Sequence, residues 1–135
     1  MTLTAYLLFH QSCQAAMTFY QTCFGGELTM TKVGDSAMKT MLPAALHDQI
    51  LHAQLKTERI QLSASDWLRP DQTPMQGNTV CLYLSGGSPD ELKTLFEKLS
   101  EKATVTDPLT EHFFGTYGAL NDQFGIRWMF QAEKK

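Results

Sequence analysis

A chain of 135 residues with 43% apolar and 19% charged side chains has the make-up of a globular domain large enough to bury a core. Its net charge of −3, without a basic run, excludes an electrostatic nucleic-acid footprint, and no apolar run approaches the ~18 residues of a membrane helix. Cys13, Cys23 and Cys81 form no C-x-x-C pair, so neither a disulfide framework nor a thiolate zinc site is expected; with no basic leader for a signal peptide, a reducing cytoplasm fits best.

Thr2 to Phe9 reads as a strand. Ser12 then offers an N-cap for a helix over CQAAMTFYQTCF, in which Ala16, Phe19, Tyr20 and Cys23 recur at helical spacing. Gly25 and Gly26 stop that helix, and Glu27 to Val33 gives a second strand. Residues 34–49 are irregular, a loop with one helical turn that arches over the sheet. ILHAQLK then alternates, with Leu51, Ala53 and Leu55 on one face and His52, Gln54 and Lys56 on the other. A tight turn at Thr57 and Glu58 leads into a similar strand, RIQLSAS. That turn sets Gln54 opposite Gln61 and His52 opposite Ser63 on one polar face.

Residues 67–77 read as a linker. NTVCLYLS follows as a strand, Ser88 caps a helix begun by Pro89, and ATVTDPL gives another strand. In PDELKTLFEKLSEK, Leu92, Leu95, Phe96 and Leu99 make one apolar face, with acids early and lysines late, as the helix dipole favours. HFFGTYGALNDQFGIRWMF supplies the last two strands across a D-Q-F-G turn. Asp122 is expected to bond the turn's backbone amides, and Trp128 and Phe130 to pack under a helix while Arg127 and Met129 face the other way.

The order of strand, helix and three strands occurs twice, and a shift of 76 superposes Tyr6 on Leu82, Ala16 on Leu92, Tyr20 on Phe96 and Cys23 on Leu99. The expected fold class is therefore α+β, with two βαβββ modules (1–66 and 78–131) forming a curved mixed sheet around a cavity.

The blocks FYQTCFGGEL, LHAQLKTERIQLSASD and FFGTYGALNDQFGIRWM, together with the paired βαβββ order, resemble the vicinal oxygen chelate superfamily of glyoxalase I, bleomycin-resistance proteins and extradiol dioxygenases. Within it the likeness is to the PhnB-like branch and covers nearly the whole chain. Phe114 stands where that branch usually has Trp, and Arg127 where His is common. The resemblance implies a homodimer and, in the enzymes, one divalent metal held by His, Glu or Gln.

Matching the motifs puts Ala5, Gln61, Cys81 and Met129 at those ligand positions. Ala5 has no donor and Met129 offers only a soft thioether, so no metal and no other cofactor is expected there. His52 reads either as part of a displaced metal site or as a hydrogen-bonded cavity histidine. Cys81 lacks a neighbouring base and reads as a small core residue rather than a nucleophile. Asp66 reads as an end cap rather than a substrate ligand.

The residues expected to line a ligand cavity are His52, Gln54, Gln61, Cys81, Phe114, Tyr117, Arg127 and Met129. Three functions remain open. The first is a metal-free protein binding a small, partly apolar ligand. The second is a lyase, isomerase or dioxygenase with a displaced metal, and the third a scaffold whose cavity its own side chains fill. Neither nucleic acid nor membrane is an expected partner.

Overall fold

The computed structural model of the protein describes residues 1–134. The chain divides into two compact units, Met1–Pro74 and Met75–Lys135. The first carries β1 (Ala5–Phe9), α1 (Cys13–Phe24), β2 (Glu27–Lys32), β3 (Ile50–Lys56) and β4 (Gln61–Asp66). The second repeats the order with β5 (Leu82–Ser85), α2 (Pro89–Leu99), β6 (Thr104–His112), β7 (Gly115–Asn121) and β8 (Arg127–Glu133). Each unit holds one four-stranded mixed sheet, ordered β1-β4-β3-β2 and β5-β8-β7-β6, with the first strand parallel to the last and the other neighbours antiparallel. Among the described residues no helix is long and apolar enough to cross a membrane.

In the first unit, Cys13, Ala16, Met17, Tyr20 and Cys23 form the buried stripe of α1. That stripe covers Ala53, Leu55, Leu62 and Ala64, all buried, on the back of the sheet. Phe9 joins them, its ring centroid 6.4 Å from that of Tyr20. Fully burying the larger of these, Phe9, Met17, Leu55 and Leu62, stabilises by roughly 1.5–3 kcal/mol each.

The N-terminus of α1 is satisfied from a distance. Ser12 makes no side-chain capping bond. Instead, Asp66 at the end of β4 accepts the Cys13 N–H through Oδ1 at 3.0 Å and the Ile50 N–H through Oδ2 at 2.7 Å. The helix ends at Gly25 (φ +75), whose N–H bonds to Gln21 O at 2.7 Å. Gly26 (φ +92) follows, and a Cβ there would lie 2.6 Å from the Lys56 carbonyl oxygen.

In the second unit, Ser88 Oγ accepts the Glu91 N–H at 3.1 Å, and Pro89 opens α2. Phe96 meets Phe130 edge-on with centroids 5.0 Å apart, so Trp128 and Phe130 lie buried on the helix side of β8. Asp122 Oδ1 accepts from Phe124 N (2.8 Å) and Ile126 N (3.0 Å), and its Oδ2 accepts from Trp128 Nε1 (2.8 Å). The turn and the core aromatic thus share one carboxylate.

Several expectations need correction. The β3–β4 connection is longer than a two-residue turn, with Thr57 N–H bonded to Ile60 O. The register therefore pairs Gln54 with Ser63 and Lys56 with Gln61, not Gln54 with Gln61. The slip is two residues, an even number, so the paired side chains keep their faces, but a bulge in the β2–β3 register skips Leu51 and turns it away from Ala53 and Leu55 to the side of Leu8 and Ser65. The shift of 76 holds for the helices but not for the strands. Exposed Tyr6 and Tyr83 correspond, as do half-buried Leu7 and Leu84, which is a shift of 77. β5 begins at Leu82 where β1 begins at Ala5, an offset of 77, while α2 begins at Pro89 where α1 begins at Cys13, an offset of 76, and one residue is enough to exchange the faces. Finally, β5 is shorter than NTVCLYLS and leaves Cys81 one residue ahead of it. Residues 34–49 hold three short 3-10 turns, at Val33–Asp35, Ala37–Thr40 and Ala44–Leu46, where one was anticipated.

Candidate functional site

With α1 covering the back of the first sheet, the opposite face carries Tyr6 and Leu8 from β1, Thr29 and Thr31 from β2, His52 and Gln54 from β3, and Gln61, Ser63 and Ser65 from β4. Alternation produces this face, and the pairings hold it in place. Tyr6 lies beside Ser63, Gln54 beside Ser63 on its other flank, and His52 opposite Thr31. A hydrogen bond of 3.2 Å joins Tyr6 Oη to His52 Nδ1, with ring centroids 5.8 Å apart. The structure thus brings His52, Gln54 and Gln61 to one face and adds Tyr6, which the 76-residue shift had equated with a core leucine.

One end of this face is roofed. The 3-10 segment is fixed at its base by Val33 N–H to Gln49 O and Gly34 N–H to His47 O, both 2.9 Å. Ser36 Oγ accepts from Met38 N (3.1 Å) and donates to Val33 O (2.8 Å). Beneath the segment lies a pocket of ≈ 460 Å³, whose apolar wall is Leu8, Met38, Leu42, Leu51 and Leu68. Trp67 stands beside them, its indole Nε1–H committed to the Arg69 and Gln72 carbonyls.

Of the polar lining groups, Ser65 Oγ donates to Asp66 O, and both Asp66 oxygens are taken by backbone N–H groups. Arg69 completes the lining, exposed. The residues read from sequence as the start of the linker are therefore a wall of this pocket. Reading the segment from Trp67 as punctuation hid it, although two large apolar side chains in a Pro- and Asp-rich stretch were a signal.

In the second unit, Tyr117, Ala119 and Asn121 of β7 pair with Gln131, Met129 and Arg127 of β8 on the face away from Trp128 and Phe130. Met129 pairs also with Tyr83, whose hydroxyl donates to Gln131 Oε1 at 3.0 Å. Arg127 is engaged by its own sheet. Nη1 donates to Thr106 Oγ1 (3.1 Å) and Asn121 Oδ1 (3.3 Å), and Nη2 lies 3.6 Å from Asp107 Oδ2. Its chemistry is that of a cross-strand brace. Phe114 sits at the β6–β7 turn, stacked on His112 with centroids 5.1 Å apart, and next to Tyr117.

The four motif-matched metal positions do not make a donor set. Ala5 pairs with Leu62 and so faces α1, opposite to Gln61. Cys81 is half-buried ahead of β5, and Met129 offers only sulfur. Among the described residues no three His, Cys, Asp or Glu side chains cluster as metal ligands. Of the four motif-matched residues, only Gln61 and Cys81 carry an ordinary ligand atom for the superfamily's metal.

Two modules of one βαβββ order, each a mixed sheet with a helix on one face and polar side chains on the other, define a glyoxalase-type α+β protein. A family model for the Glyoxalase/Bleomycin resistance protein/Dioxygenase superfamily matches residues 2–130, and the chain belongs to that superfamily. It is 28% identical to the protein YjdN of Escherichia coli K12, over all of this chain and 97% of that one. Protein PA1353 of Pseudomonas aeruginosa is 31% identical, with a TM-score of 0.88 over 100% of this chain and 99% of that one. The PhnB protein of Bacillus cereus shares the fold at 20% identity, with a TM-score of 0.76 over 98% of this chain and 99% of that one.

Proposed function

We propose that this chain is a cytoplasmic, homodimeric small-molecule-binding protein of the PhnB-like kind that works without the superfamily's usual catalytic metal. The observation that carries the reading is the roofed pocket on the first sheet. Its volume of ≈ 460 Å³ and its mainly aliphatic wall suit a small, partly apolar ligand. The roof is tied down by hydrogen bonds rather than collapsed onto the sheet, which argues against a scaffold filled by its own side chains.

A thermal-shift screen of small amphiphiles tests it. A ligand at a hundredfold excess over its Kd adds roughly 2.7 kcal/mol and raises the melting temperature. Filling the pocket by Leu42→Trp should abolish that rise. A rise that survives the filling, or none across the screen, would remove this reading. Sedimentation velocity checks the dimer.

The enzyme reading draws on one feature, the Tyr6–His52 hydrogen bond on the open face. It requires a metal bound at a displaced position. Elemental analysis after equilibration with Ni²⁺, Zn²⁺, Mn²⁺ and Fe²⁺ and desalting decides it: near-stoichiometric metal that His52→Ala releases would favour the enzyme.

A further inference from the structure

We infer, resting on the binding reading above, that the roofed pocket selects an amphipathic anion, a compact aliphatic chain ending in a carboxylate that pairs with Arg69. The inference comes from counting which polar groups of the wall are still available. Trp67 has spent its only donor on two backbone carbonyls. Ser65 has spent its proton on the Asp66 carbonyl. Asp66 is 4% exposed, and each carboxylate oxygen already accepts a backbone N–H. Its negative charge faces the N-terminus of α1, where the helix dipole offsets it.

Arg69 differs from all of these. Its side chain has no ion pair or hydrogen bond among the described residues, although it lines the same cavity as five aliphatic side chains. A guanidinium presents a planar fork of donors that matches a carboxylate and stays charged at every physiological pH. An apolar body satisfies Leu8, Met38, Leu42, Leu51 and Leu68, and the head group satisfies the one uncommitted charge. A ligand with a cationic head would meet Arg69 unfavourably, and a neutral one would leave it unused.

Isothermal titration of octanoate, octan-1-ol and octylammonium into the full-length protein, and into Arg69→Gln, Arg69→Lys and Leu42→Trp, tests this. Octanoate should bind about two- to fivefold tighter than octanol, the yield of an exposed ion pair. Arg69→Gln should bring octanoate down to the octanol level, while Arg69→Lys keeps part of the gap. Equal binding of octanoate and octanol, both lost in Leu42→Trp, would overturn the anion assignment and leave the pocket as a binding site. Tightest binding by octylammonium would reverse the assigned charge. Absence of binding by all three, or binding untouched by Leu42→Trp, would overturn the binding reading together with this one.

Discussion

Removing the Asp66 carboxylate should be among the most damaging single changes in the first unit. Asp66 is 4% exposed and ties the first N–H of α1 to the first N–H of β3, through bonds of 3.0 and 2.7 Å. Asp66→Ala leaves both donors buried without a partner. Hydrogen bonds to a charged group contribute ~1.5–3 kcal/mol each, so losing two should cost about 3–6 kcal/mol. That is a large share of the ~7–20 kcal/mol expected for 135 residues. Asp66→Asn keeps one acceptor but turns an amide N–H₂ toward a backbone donor, and should cost roughly half as much. Urea unfolding followed by circular dichroism measures both. A loss below 1 kcal/mol for Asp66→Ala, with an unchanged m-value, would refute the view that this carboxylate carries the helix start. The ranking of the two variants matters as much as the size. Asparagine as harmful as alanine would mean that charge, rather than acceptor count, is what the site requires.

Burial, and secondarily the Asp66 charge, push the Cys13 thiol up from 9.0 to about 12. A neutral thiol in the fold and an ionised one in the unfolded chain means that the native state binds more protons above pH 9. Stability should therefore fall between pH 9 and 12, and Cys13→Ala should flatten that slope in pH-dependent unfolding. In native protein, iodoacetamide at pH 8 should modify Cys81 first, because Cys13 and Cys23 are buried; mass spectrometry locates the adduct. Asp122→Ala unpins the D-Q-F-G turn and removes the carboxylate that accepts the Trp128 N–H, and should cost roughly 2–4 kcal/mol in the same urea assay. Gly25→Ala meets open space and should cost about 1–3 kcal/mol, from its backbone at φ 75, ψ −161 alone. Gly26→Ala adds a collision with the Lys56 carbonyl and should cost at least twice as much. Similar losses at the two glycines would show that the close approach relaxes freely.

Local periodicity carries the order of the repeat, the buried stripes of the helices and the face of most strand residues. Apolar periodicity over CQAAMTFYQTCF and ILHAQLK is a local property, and α1 and β3 fall on those residues with no change of boundary. Side-chain period 2 is equally local, which is why His52, Gln54 and Gln61 were assignable to one face before their neighbours were known. Asp122 was legible for the same reason, since its backbone partners lie two and four residues away.

What the tertiary structure decided depends on which distant residues meet. The Gln54–Ser63 pairing turns on a connection that proved two residues longer than the shortest turn. Tyr6 lies 46 positions from His52, and Asp66 lies 53 from the helix it caps. No local pattern marks either partner, and Ser12 offered a nearer and wrong capping candidate. The pocket is further still from the sequence, because its wall comes from β1, the 3-10 segment, β3 and the residues after β4. Periodicity fixes which way a side chain faces. Only the folded chain fixes what it faces, because closing a loop brings together groups whose separation along the chain carries no record of their contact.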